Sequence, residues 1–314
     1  MAEQTEFNGG FTVDLLTALF LLPLPLFGLL TPAADWLFRT VKKNLVPYWT
    51  LTALLVSLGS ALVMFLQTQR PLTLVSGVLS IDAFSLFFAV IFLLISVLVN
   101  VTSLSYMSRT ENPLAYYGLL LFSTFGMILV ALSVDLVVLF VSWELMSVPT
   151  YVLTGILKKD PASNEAALKY FLVSALSSGL VIYAISLLFG ITKSTNMIVI
   201  GEALSSQNLL LEPLTVVAIA LFIAGFGMKV AAVPFHMWIP DAYEGAPTTI
   251  AALLAAGTKS GGFAALIRVF FVSLAFYKAD WSVIFAVIAL LTMTLGNVGA
   301  LTQKSFTRIL AYSS

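Results

Sequence analysis

A succession of apolar runs, each about as long as a bilayer core is thick, constrains this chain more than any other feature. A membrane helix needs roughly 20 consecutive apolar residues. Nine such runs can be marked, at Phe11–Leu30, Pro47–Gln67, Asp82–Met107, Leu114–Ser133, Val134–Leu157, Glu165–Gly190, Pro213–Trp238, Thr248–Ala275 and Trp281–Leu301, and a tenth opens near Phe306. Only helices and closed barrels satisfy their backbone at that depth, and continuous runs of this length read as helices. The expected fold class is all-α, a polytopic membrane helix bundle. Charged residues make up 10% of the 314, against about 25% in soluble domains.

Composition also excludes chemistry. The net charge is zero, and a nucleic-acid binder needs a basic patch. There is no Cys and one His, His236, so iron–sulfur clusters, thiolate zinc sites, a bis-His haem and His-rich metal sites are not available to this sequence. Gly225-Phe226-Gly227 lies inside an apolar run and reads as helix packing rather than a dinucleotide loop. No cofactor or metal site is expected, and any redox chemistry belongs to a partner.

The loops carry an orientation signal. Those after odd-numbered runs hold Arg39, Lys42, Lys43, Arg109, Lys158, Lys159, Lys304 and Arg308, whereas the other side holds Arg70, Lys193 and Lys278. The positive-inside rule then puts the N-terminus outside the cytoplasm. Glu3 and Glu6 precede the first run without any Lys or Arg. A cleaved signal peptide has a basic start, so the first span is expected to be retained.

Four cations remain inside the runs, Lys169, Lys229, Lys259 and Arg268, together with the acid Glu144. A charge at membrane depth costs about 2.5–3.5 kcal/mol on insertion scales. Several on successive helices point to an ion or proton pathway. Glu144 and Lys229 are each followed five positions later by a proline, Pro149 and Pro234. An interior proline frees the carbonyl four residues earlier, here that of Leu145 and of Val230. A charge beside a Pro-broken transmembrane helix suits ion handling; the plainer reading is a kink with a salt bridge that fixes packing.

Lys259 sits among small residues, Gly257-Thr258-Lys259-Ser260-Gly261-Gly262, which admit a neighbouring helix closely. An ordinary lysine, with a pKa of about 10.4, holds its proton too tightly for exchange near neutrality. Removal from water loosens that hold and a nearby carboxylate restores it, so moving a carboxylate is a way to load and release a proton. Lys169 reads either as a snorkelling interface residue or, with Ser174, Ser177 and Ser178, as part of a wet path. Arg268 stays protonated and reads as an interface anchor. Asp14 and Asp135 read as helix caps, and Asp241 and Glu244 as loop acids that cap the next helix. His236 follows Lys229 by two turns if the helix resumes, as a relay to Lys259 or as a neutral partner of the broken backbone. Phe235, Met237 and Trp238 read as packing and interface residues.

Three stretches then fit together. Glu144-Leu145-Met146-Ser147-Val148-Pro149-Thr150-Tyr151, Glu165-Ala166-Ala167-Leu168-Lys169-Tyr170-Phe171 and Lys229 through Pro247 (KVAAVPFHMWIPDAYEGAP) resemble the antiporter-like membrane subunits of respiratory complex I, the N type more than the M or L type. The resemblance covers Asn112 to Ser314 well and the first spans weakly. It implies about fourteen helices with two inverted five-helix repeats, of which this sequence holds the first. The chain then divides into helices 1–3 (1–110), the first repeat (111–275) and the start of the second (276–314). The sequence ends inside the tenth run, so a longer chain with a second Pro-broken helix is expected. Matched residue by residue, Glu144 falls on the family's fifth-helix glutamate, Lys169 on its sixth-helix lysine, Lys229 on the broken-helix lysine, Lys259 on the eighth-helix lysine and His236 on the broken-helix histidine. In the family these form a hydrated axis that moves protons, driven by quinone reduction in other subunits.

The resemblance implies a cell-membrane translocase subunit surrounded by lipid and other membrane subunits. NADH, FMN, iron–sulfur clusters and quinone would be bound only by partners. Rival readings are a subunit of a multi-subunit sodium/proton antiporter, the equivalent subunit of a hydrogenase- or F420-dehydrogenase-type complex, a self-contained solute carrier, and a scaffold that moves no ion.

Overall fold

The computed structural model describes residues 13–38, 45–67, 71–107, 113–206 and 213–314. Phe11 and Thr12 of the first run, Glu3 and Glu6, the loop cations Arg39, Lys42, Lys43, Arg70 and Arg109, and the boundary expected at 110/111 lie outside the described residues.

The first span is a bent pair, α1 (Val13–Leu21) and α2 (Pro23–Phe38), with a 45° angle between them. Pro23 at the junction has no N–H to carry the ladder across. Then come α3 (Val46–Gln67), a hairpin of β1 (Leu72–Leu74) and β2 (Leu79–Ile81), and α4 (Ala83–Met107). Next are α5 (Pro113–Leu132), α6 (Leu136–Thr154), α7 (Pro161–Thr192), the short α8 (Met197–Ser206) and α9 (Pro213–Val230). A turn leads to α10 (Ile239–Gly245). The following span contains α11 (Thr248–Ala252), a π-helical stretch Leu253–Thr258, α12 (Lys259–Arg268) and a second π stretch Val269–Ser273. The last helices are α13 (Lys278–Leu301) and α14 (Phe306–Ser313). Among the described residues eight helices are long and apolar enough to cross a membrane, nine with the bent pair. The chain is a multi-pass, all-α membrane protein, and the hairpin is a small addition that three-residue strands gave no pattern to reveal.

Local chemistry sets the joints around the charges. Only three residues part α5 from α6, and Asp135 caps α6 by accepting from the N–H of Val137 (2.9 Å) and Val138 (3.2 Å), as expected of it. Its other oxygen accepts from the Thr195 hydroxyl at 2.5 Å. A Cβ on Gly126 would lie 2.3 Å from the backbone N of Met146, so α5 and α6 touch backbone to backbone. Asp160 caps α7, with Pro161 at its first position, where the missing N–H does no harm. Gly225 meets Val181 of α7, and the Ser177 hydroxyl donates to its carbonyl at 2.7 Å. The Gly225-Phe226-Gly227 triplet is helix packing.

Two expected features differ. Pro149 does not break its helix: α6 runs on to Thr154. The close seat against α5, with the Ser123 hydroxyl donating to the Met146 carbonyl at 3.1 Å, holds the segment next to the freed carbonyl, as neighbouring helices do around membrane prolines. The seventh run, in contrast, is helical only to Val230, not to Trp238. Ala231 takes a left-handed backbone, φ 59°, and helix resumes at Ile239.

Candidate functional site

Lys229 is the last but one residue of α9 and is 3% exposed. Its ammonium donates to the Ser147 hydroxyl (2.7 Å) and to the Tyr170 hydroxyl (3.1 Å). The rings of Tyr170, Trp143 and Tyr151 stand 5.3, 5.6 and 5.9 Å away. These are near the outer limit of cation–π attraction, about 0.5–1 kcal/mol apiece. Two hydrogen bonds from a charged donor, at about 1.5–3 kcal/mol each, contribute more. Hydroxyls differ from a carboxylate in one respect that matters here: each can accept from an ammonium or donate to a neutral amine.

The break beyond Lys229 is held by side chains. The Trp238 indole donates to the Met228 carbonyl (3.0 Å), and the Val233 N–H donates to the Thr292 hydroxyl of α13 (3.0 Å). Trp238 stacks flat on Tyr170, with centroids 4.8 Å apart and planes 9° apart. Gly262 lets α12 lie against the lysine stem, since a Cβ there would come 3.3 Å from Lys229 Cγ and 3.0 Å from Val230 Cγ1.

Lys259 directly follows the first π stretch, a distortion common at functional sites. It is 6% exposed and donates to the Ser314 hydroxyl at 2.8 Å, with the Tyr243 ring 6.0 Å away. It lines a cavity of about 700 Å³ together with His236, Thr292, Asn297, Tyr312 and Ser314. His236 is in the turn and not on the continuing face of α9, so the two-turn spacing from Lys229 has no helix to act through. Its ring faces Tyr312 at 6.3 Å, and its Nδ1 has no hydrogen-bond partner among the described residues. It belongs to the Lys259 side.

Glu144 is half-buried and accepts from the Ser178 hydroxyl of α7. Glu144 and Lys229 are not among the ion pairs between described residues, so the salt bridge of the plainer reading does not join these two charges. One turn beyond Glu144 the helix presents Ser147, and that hydroxyl takes the lysine.

Three other expectations change. Arg268 is no interface anchor: it is 8% exposed and grips Asp82 with two nitrogens at 2.7 and 2.8 Å. It also donates to the Ala131 carbonyl and lies over the Phe84 ring at 4.5 Å. Asp82, just before α4, was the acid at the head of the third run, a signal available but unused. Asp241 and Glu244 lie within α10 and do not cap the next helix. Asp241 accepts from Lys169 and from Arg308, each at 2.6 Å, and Glu244 pairs with Arg308. The Lys169 ammonium beside Asp241 holds that carboxyl below the usual range, and the Arg308 guanidinium does the same for Glu244. Lys169, 42% exposed and also 2.7 Å from Glu165, is thus bound at the rim, while its neighbour Tyr170 reaches Lys229. Sequence reasoning missed Tyr170 and Ser147, although both lie inside the quoted stretches.

Residues 133–314, more than half of the chain and all five charged groups among them, match the family described as NADH:quinone oxidoreductase/Mrp antiporter, TM. The chain belongs to this family. It is 40% identical over 285 residues to F(420)H(2) dehydrogenase subunit N of Methanosarcina mazei, covering 87% of this chain and 56% of that one. It is 47% identical over 242 residues to NADH-quinone oxidoreductase subunit N 2 of Roseiflexus castenholzii, covering 76% and 49%. A chain of respiratory complex I from Thermus thermophilus, solved with bound aureothin, superposes with a TM-score of 0.78 at 30% identity, over 94% of this chain and 61% of that one. The chain therefore spans about half the length of the curated relatives it matches.

Proposed function

We propose that the chain is the N-like proton-translocating membrane subunit of a complex I-like NADH:quinone oxidoreductase. In this reading it carries no redox centre, and NADH, FMN, iron–sulfur clusters and quinone are bound by partner subunits, whose quinone reduction drives the protons. The same reading places it in the cell membrane with its N-terminus outside the cytoplasm, and divides it at 110/111 and 275/276. The carrying observation is the environment of Lys229: a buried amine at a helix break, with hydroxyls and ring faces around it and, among the described residues, no carboxylate in salt-bridge reach. A purely structural cation is tied as Arg268 is tied to Asp82. Lys229 is held, yet its proton is not locked.

Glu144 supplies the field that biases Lys229, and Lys259 is the next buried amine, on the helix that packs against the lysine stem through Gly262. His236 serves the cavity beside Lys259 rather than the gap between the lysines. Lys169 joins the rim through Asp241. In the assembled complex reconstituted in vesicles, Lys229→Ala should abolish pumping with modest loss of assembly; normal pumping by that variant removes the central step. Glu144→Gln and Lys259→Ala should each impair translocation. Intact translocation in both supports the scaffold reading instead.

A further inference from the structure

We infer that Tyr170 is a positioning residue for Lys229, whose hydroxyl serves the amine in both protonation states and thereby keeps its proton exchangeable. The inference rests on the proton-translocation reading above and names a residue that it did not contain.

Tyr170 is fully buried and its ring cannot drift. Trp238 stacks on one face, and Tyr151 meets it edge-on at 4.9 Å and 80°. The hydroxyl is left as its only movable part. Thr150 lies 3.1 Å from that oxygen. The Thr150 proton is already given to the Ser147 carbonyl at 2.6 Å, so toward Tyr170 the threonine can only accept. The tyrosine proton thus has an acceptor on α6, while its lone pairs accept from the Lys229 ammonium.

When Lys229 is neutral the requirement reverses: the amine nitrogen needs a donor. Rotation about the C–O bond turns the Tyr170 hydroxyl from its threonine to the amine, breaking no covalent bond. A buried amine left without that donor, or an ammonium left without that acceptor, has one state penalised relative to the other. Phenylalanine at 170 keeps the ring and removes both services.

The test is made in the assembled complex in vesicles, comparing wild type, Tyr170→Phe, Lys229→Ala, and protein carrying 3-fluorotyrosine at position 170. Pumping by Tyr170→Phe should fall about tenfold, at the low end of what a positioned proton-handling group contributes, with assembly unchanged. Fluorotyrosine, which keeps the hydroxyl, should restore most of it. Wild-type pumping by Tyr170→Phe overturns the inference, as does an equal loss with fluorotyrosine, which traces the effect to packing. Should Tyr170→Phe not assemble, 4-fluorophenylalanine at position 170, which fills the hydroxyl's place but cannot donate, decides instead: lost pumping in normally assembled complex supports the role, and wild-type pumping overturns it. Lys229→Ala separates the two levels, because normal pumping by that variant refutes the translocation reading itself.

Discussion

Two buried cations in this chain are handled in opposite ways. Arg268 has a two-pronged carboxylate and a backbone carbonyl, so its charge is permanent and structural. Removing one partner of such a pair leaves the other charge buried and costs about 3 kcal/mol or more. Arg268→Gln should therefore lower thermal stability in detergent by about that amount. The double change Arg268→Met with Asp82→Leu should recover most of it, since apolar replacements of buried pairs are often neutral; a double variant as unstable as the single one would show that the arginine's stability contribution is not ionic. Lys229 has hydroxyls and rings in place of a carboxylate. The sequence made the three buried cations, Lys229, Lys259 and Arg268, visible, because charge stands out in apolar runs. It could not show which would find a carboxylate, because Asp82 and Arg268 are 186 residues apart along the chain.

At the level of helices, periodicity located the spans well because apolar length is a local property. What it could not rank was the two prolines. Both follow a charge by five residues, yet only the one after Lys229 ends a helix. The difference lies in neighbours: α6 is clamped against Gly126 and Ser123 of α5, whereas the α9 break is filled by the Trp238 indole and tied to α13 through Thr292. Adding a methyl at Gly126 forces α5 and α6 apart, and overpacking of this kind costs about 1–3 kcal/mol. Gly126→Ala should thus reduce stability in that range and lower assembly. Gly59→Ala, where a Cβ meets nothing within 4 Å, should have little effect; equal losses in both variants would remove the close-approach argument.

Across the whole molecule, acids and bases from distant parts of the chain meet at one rim. Asp241 and Glu244 of α10 hold Lys169 of α7 and Arg308 of α14. Both carboxyls titrate below their ordinary values, Asp241 because of Lys169 first and Glu244 because of Arg308 first. A depressed carboxyl gives stability that is complete above the unfolded values, about 4, and is lost as pH falls through the folded ones. Docking of α14 should hold from neutrality down to about pH 5 and loosen below about pH 4, read as a loss of backbone amide protection, relative to the intrinsic exchange rate at each pH, in residues 306–313. Asp241→Asn with Glu244→Gln should show the loosened exchange at neutral pH. A pH-independent protection factor at 306–313 would mean that apolar contacts alone seat α14. Asp241, Glu244 and Arg308 were legible as loop charges and Lys169 as a charge inside a run, but their meeting depends on α10 turning back over α7, where Gly245 lets it approach Ala162.

The hydroxyl nest around Lys229 also bears on direction. Hydroxyls that serve a side chain with or without its extra hydrogen do not themselves favour filling or emptying, so on the proposed reading the nest is not the ratchet. On that reading, whatever makes transport one-way acts on the nest from outside it. With that drive withdrawn and a steep enough opposing gradient, the same groups would carry traffic in reverse.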